Sequence, residues 1–165
     1  MHIVIVSNTT IPVIKYGGIE RMIWWLGKGL ISRGHKVTYL VNKGSSCNFA
    51  NIIFINPKIK LGLQIPADTD IVHYHSITDT DIDIPYITTE HGNSNDLNRI
   101  YHLNTVFVSH NHAKRFGANA FVYNGIDFND YEKPDLNTER KYFHFLGDAA
   151  WKVKNVRGAI RITKT

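Results

Sequence analysis

Histidine stands in this chain at spacings that could do chemistry. His73 and His75 form an H-x-H pair in "DIVHYH", His110 and His112 form a second in "SHNHAKRF", and His91 precedes Gly92 in "TTEHG". Residues two apart on a strand share a face, so His73 and His75 can present two imidazoles to a zinc ion, to sugar hydroxyls or to a phosphate. Zinc wants a third ligand, and with Cys47 as the only cysteine the chain offers no convincing one. Two residues apart on a helix point different ways, so His110 and His112 cannot act as a pair there. A purely structural role is the alternative for each histidine. His91 is the favoured one, because a His-Gly pair that closes a strand lies at the carboxyl edge where α/β proteins bind ligands.

Glycine supplies the second feature. In "KYGGIERMIWWL" Gly17 and Gly18 stand directly before an amphipathic stretch, after the apolar run "HIVIVS" and a loop from Asn8. The loop contains neither G-x-G-x-x-G nor G-x-x-x-x-G-K-[ST]. What remains is a glycine turn at a helix N-terminus, where absent side chains let an anion come close and free N–H groups and the helix dipole attract it. A turn with no ligand is the alternative. Carboxylates offer less: Glu20 complements the helix dipole, and "TDTDID" at 78–83 reads as a solvated loop. The lack of a hydrolase-like carboxylate pair counts against a glycosidase.

These residues must be held by elements, and the pattern names them. Strand-like runs recur at His2–Ser7, Lys36–Asn42, Asn51–Ile55, Asp70–Tyr74, Pro85–Thr89, Thr105–Ser109 and Ala120–Tyr123. Several are unbroken Val/Ile runs, as parallel strands covered on both faces require. Ile19, Met22, Ile23, Leu26 and Leu30 make one stripe of a helix over Gly18–Arg33, closed by a basic last turn and Gly34. Ser109 can cap a second helix that ends at Gly117. The alternation predicts an α/β fold, a doubly wound and mostly parallel sheet.

Composition narrows the class. The 165 residues are 43% hydrophobic and 20% charged, ordinary for a globular protein. A single cysteine excludes an intrachain disulfide framework and makes the cytoplasm the default. No apolar run approaches a membrane span or a signal peptide. The net charge of +5 suits a phosphate-bearing ligand or an anionic membrane surface, but the basic residues are scattered apart from Lys152 to Lys164, so no nucleic-acid partner is expected. The polar stretch at 127–141 reads as a linker. Beyond it, 142–165 suggests one strand, a glycine loop and the opening helix of a second, truncated domain.

Residues 16–41, "YGGIERMIWWLGKGLISRGHKVTYLV", resemble the glycine-loop and first-helix signature of family 4 retaining glycosyltransferases. "DIVHYH", "TTEHG", "VSHNHAKRF" and "VYNGID" follow in the order and near the spacing of that family's N-terminal domain. The resemblance covers nearly all of 1–147. It implies the Rossmann-like N-terminal half of a GT-B fold over 1–126, an interdomain connection over 127–141, and the start of a donor-binding domain over 142–165. It implies a metal-independent retaining transferase, with no cofactor, that moves a sugar from a nucleotide-sugar donor to a glycan or lipid-linked acceptor. In that family the active site is the cleft between the two domains, and the N-terminal part alone is inactive. The protein is then cytoplasmic, or peripheral at the inner face of the membrane.

By the same resemblance Gly17 and Gly18 approach the donor diphosphate and His91 is the catalytic residue beside the reacting sugar. Ser109 and His110 line the cleft wall and Asn124 begins the interdomain connection, while His73 and His75, at the end of their strand, are expected on the acceptor side of the same cleft. Lys154 is the cation that neutralises the diphosphate, with Lys152 competing for that place. The chain departs from the family at "LGDAAWKVKN", where Asp148 replaces the usual arginine and Lys154 fits only with one residue inserted. Two other functions compete. A glycan-binding α/β module without turnover is one, and a nucleotide-dependent oxidoreductase, which lacks its glycine fingerprint, is the other.

Overall fold

A computed structural model describes residues 1–15, 17–75, 81–96 and 98–164. Tyr16 of the glycine loop, 78–80 of the "TDTDID" loop and Thr165 lie outside the described residues.

Six strands form one sheet: β1 (His2–Val6), β2 (Lys36–Val41), β3 (Asn51–Phe54), β4 (Ile71–Tyr74), β5 (Tyr86–Glu90) and β6 (Thr105–Phe107). Their order is β3-β2-β1-β4-β5-β6, and every pairing is parallel. The order reverses between β1 and β4, which makes their carboxyl ends the topological switch point. There the backbone N–H of Ser7 donates to Leu40 at 3.1 Å, and that of His75 donates to Val6 at 3.0 Å. The seventh run, at Ala120–Tyr123, contributes a single bridge between Phe107 and Phe121 rather than a strand.

Alternation along β1 splits the core in two. Ile3 and Ile5 face α1 (Gly18–Ser32) with Val37, Tyr39 and Ile23, whereas Val4 and Val6 face the other way with Leu40, Val72 and Tyr74. This second face is covered by Ile55, Leu61, Ile65 and Ile82 from irregular chain and a short 3-10 turn, not by a long helix. The amphipathic stripe of α1 is therefore the main helical cover of the sheet. Gly34, at φ 82°, closes α1: its N–H donates to Ile31 and that of His35 to Leu30, the bonding that ends a helix on a left-handed residue. The expected basic last turn is absent, because Arg33 caps the helix and His35 lies beyond it.

The chain divides into two units, Met1–Asp127 and Phe128–Thr165. The first contains the sheet. In the second, 142–147 carries no β pairing where the sequence suggests a strand, and the helix is α3 (Val156–Ile162).

Candidate functional site

The parallel pairing of β4 with β5 brings the histidines together. His73 lies opposite Ile87 in register, and its Nε2 is 2.8 Å from the Thr89 hydroxyl. His75 follows β4 on the same face, with ring centres 4.1 Å apart. Its Nδ1 is 2.9 Å from Nε2 of His91, which follows β5, and the two rings stack at 5.2 Å. One of those two nitrogens donates and the other accepts, so the tautomer of one ring dictates that of the other.

Burial keeps this group uncharged. Loss of solvent, with His91 nearby, pushes His73 down to about 4, and loss of solvent, with His73 and His91 nearby, pushes His75 further down. His91 is lowered by burial and then by His112. Nε2 of His75, a residue 5% exposed, is buried without a hydrogen-bond partner among the described residues. Such a group costs about 1–3 kcal/mol until a ligand or water reaches it.

A cavity of about 550 Å³ opens at this edge, with His75, His91, Thr89, Glu90, Arg99 and Tyr101 in its wall. That size lies within the range of small-molecule sites. Glu90 is 3.6 Å from Arg99 and accepts the Gly92 N–H at 2.9 Å. The cavity also reaches Ile19, in the first turn of α1, so the turn that begins with Gly18 adjoins the histidines. The preceding loop is fixed by Ile11, which is fully buried and whose N–H donates to Ser45 at 3.1 Å.

The two glycines differ. A side-chain carbon at Gly17 would come within 2.7 Å of Val13 and Glu20, so packing alone requires glycine there. One at Gly18 would meet nothing within 4 Å. Packing therefore sets no demand for glycine at 18.

A second cavity, about 170 Å³, joins His91 to Asn93, Ser109, His112 and Arg115. Ser109 caps α2 (His110–Arg115) by accepting the His112 N–H at 3.1 Å. Gly117, at φ 68°, ends that helix as expected. Arg115 holds the chain after β5 through the Asn93 side chain and the Ser94 carbonyl. His112 is 6% exposed and its Nε2 has no partner among the described residues, while His110 is exposed against Phe121, so the second histidine pair splits across the helix.

The structure thus gathers His73, His75, His91 and Ser109 at one sheet edge, whereas Gly17 and Gly18 line neither cavity and Ile19 is the residue of α1 that does. Asn124 lies in exposed chain, and neither it nor His110 lines the two cavities. Lys154 belongs to the second unit, its ammonium 4.8 Å from the centre of the Trp151 ring. Among the described residues no group of three or more His, Cys, Asp or Glu is placed to hold a metal ion, and no helix is long and apolar enough to cross a membrane. Thr89, Glu90, Arg99 and Tyr101 escape a reading of the sequence. Thr89 is the one with a signal, being on the same strand face as His91.

No family model and no curated protein matches the chain. Among solved structures, AviGT4, described as a glycosyltransferase involved in avilamycin A biosynthesis, matches with a TM-score of 0.58 at 19% identity, over 79% of this chain. The chain shares with AviGT4 a parallel, Rossmann-like α/β fold. It spans 44% of AviGT4, so it corresponds to less than half of that enzyme.

Proposed function

We propose that this chain is the N-terminal, acceptor-side part of a retaining, metal-independent glycosyltransferase of the family 4 type. It would serve a larger enzyme that moves a sugar from a nucleotide-sugar donor to a glycan or lipid-linked acceptor in the cytoplasm, and it is inactive alone. The observation that carries this reading is the hydrogen-bonded His75–His91 pair at the carboxyl edge of the sheet, in a cavity that reaches the first turn of α1. The glycosyltransferase fold supports it.

In this reading the N-terminal turn of α1 faces the donor diphosphate, and the open position at Gly18 lets the phosphate oxygens come close to the backbone. As the bond from the anomeric carbon to the phosphate oxygen breaks, that oxygen keeps the electron pair, and the helix terminus stabilises the charge. His91 contacts the sugar at the reacting centre. The acceptor hydroxyl attacks from the face the diphosphate leaves, and its proton passes to the departing phosphate oxygen.

The test is the anomeric configuration of the product. The complete enzyme, supplied with nucleotide sugars and an acceptor panel, should give a product with the configuration of the donor, at an unchanged rate in EDTA, while residues 1–165 give none. An inverted product, or a rate abolished by chelation, contradicts the proposal.

A further inference from the structure

Two side-chain pairs tie the ends of β4 and β5 together, His73 with Thr89 and His75 with His91. The second pair is an unfavourable choice for structure alone. Its hydrogen bond to His91 is the one bond that the His75 side chain makes among the described residues, and its Nε2 is buried with none. An apolar ring of similar size would fill the place without leaving a polar atom desolvated, so stability does not account for the imidazole.

The surroundings fix the His75 ring. Its backbone N–H donates to the Val6 carbonyl at 3.0 Å, across the switch point, and the His73 ring lies against it with centres 4.1 Å apart. His91 is less confined: it follows β5 in irregular chain and stands in the wall of both cavities described above. The fixed ring therefore orients the freer one. Because Nε2 of His91 is taken by His75, the nitrogen left for a substrate is Nδ1.

The same bond couples the protons. Either His75 donates from Nδ1, which leaves the His91 proton on Nδ1, or His91 donates from Nε2, which leaves its Nδ1 bare and the His75 proton on Nε2. In both arrangements the two rings are the same tautomer. A proton has no onward path from His75, whose Nε2 meets no partner among the described residues, and burial disfavours the charged form of both rings. The pair is thus a hydrogen-bonding device and not a relay; a carboxylate in the place of His75 would have raised the basicity of His91.

Resting on the glycosyl-transfer reading, we propose that His75 is a positioning residue for the reaction: it holds the His91 ring so that Nδ1 meets the sugar, and its tautomer sets whether that nitrogen donates or accepts.

The test compares His75→Asn with His75→Phe in the complete enzyme. The asparagine amide can stand in for Nδ1 and pair with His91 but leaves the rest of the ring volume empty, whereas phenylalanine fills that volume and cannot pair. Positioning and packing therefore predict opposite orders. The proposal expects His75→Phe to lose about 10- to 100-fold in kcat with KM for the nucleotide sugar little changed. It expects His75→Asn to keep about tenfold more turnover than His75→Phe while melting at the lower temperature. Turnover that is equal in the two folded variants, or higher in His75→Phe, overturns the proposal. A second measurement needs no variant and decides the matter where one fails to fold: in the 165-residue chain labelled with ¹⁵N-histidine, the ring nitrogens of His75 and His91 should report the same tautomer, and opposite tautomers overturn the proposal. Failure of the parent reading looks different, since an unmodified complete enzyme that transfers no sugar overturns glycosyl transfer whatever the two rings report.

Discussion

His73 and His75 carry a cost that shows as a function of pH. Both are held well below the ordinary imidazole value by burial, His73 at about 4. Between about 4 and 6.5 the unfolded chain binds protons that the folded chain does not, so folding weakens as pH falls through that window. His73 alone amounts to roughly 3 kcal/mol over the interval. The unfolding midpoint in urea should fall steadily from pH 6.5 to 4, and His73→Gln, which keeps a donor for Thr89, should flatten the slope. A second residue prediction separates the glycines. Gly18→Ala should leave thermal stability unchanged or slightly raised, since its side chain meets open space, yet weaken nucleoside-diphosphate binding in the complete enzyme. Gly17→Ala should lower the melting temperature, because its methyl meets Val13. Calorimetry and thermal unfolding of both variants read the two effects. The His75–His91 bond itself could not be read from the sequence, since it exists only because β4 and β5 are neighbours. Tyr101 sits in a loop with no periodicity to mark it.

At the level of elements, the helix α1 shows how packing overrides propensity. Gly27 and Gly29 both stand inside it, where alanine ordinarily stabilises by about 1 kcal/mol. A methyl at 27 would overlap the Tyr39 hydroxyl and lie 2.6 Å from its ring carbon, and that hydroxyl donates to the Ile23 carbonyl at 3.0 Å. At 29 the nearest atom is Arg33, at 3.7 Å. Gly27→Ala should therefore destabilise by about 1–3 kcal/mol and Gly29→Ala stabilise by about 0.4–1 kcal/mol, read from urea unfolding. The strands were the most legible elements: β1 and β2 are buried on both faces along nearly all their length, and their Ile, Val, Tyr and Leu residues, without apolar–polar alternation, say so. Ala120–Tyr123 reads like them but pairs only through Phe107, whose N–H donates to Ala120 and whose carbonyl accepts from Val122. Local pattern does not record where a sheet stops finding partners.

On the scale of the molecule, the sheet unit holds the buried core, whereas no residue from 128 to 164 is buried and Phe143, Leu146 and Val153 are each more than three-quarters exposed. Limited proteolysis should cut within 128–164 first and leave 1–127 intact. The doubly wound fold was legible because alternating β and α patterns admit few topologies; the split of the histidines into a buried cluster at 73, 75 and 91 and an exposed His110 was not, because it depends on which strands become neighbours. The central claim is that His91 acts on the reacting sugar while the diphosphate is held elsewhere. The direct measurement is turnover and nucleoside-diphosphate affinity of the complete enzyme with His91→Ala, taken on one folded preparation. The account predicts a loss in kcat of about 100-fold or more with diphosphate affinity nearly unchanged. Full turnover in His91→Ala, or a loss confined to diphosphate affinity, would contradict it.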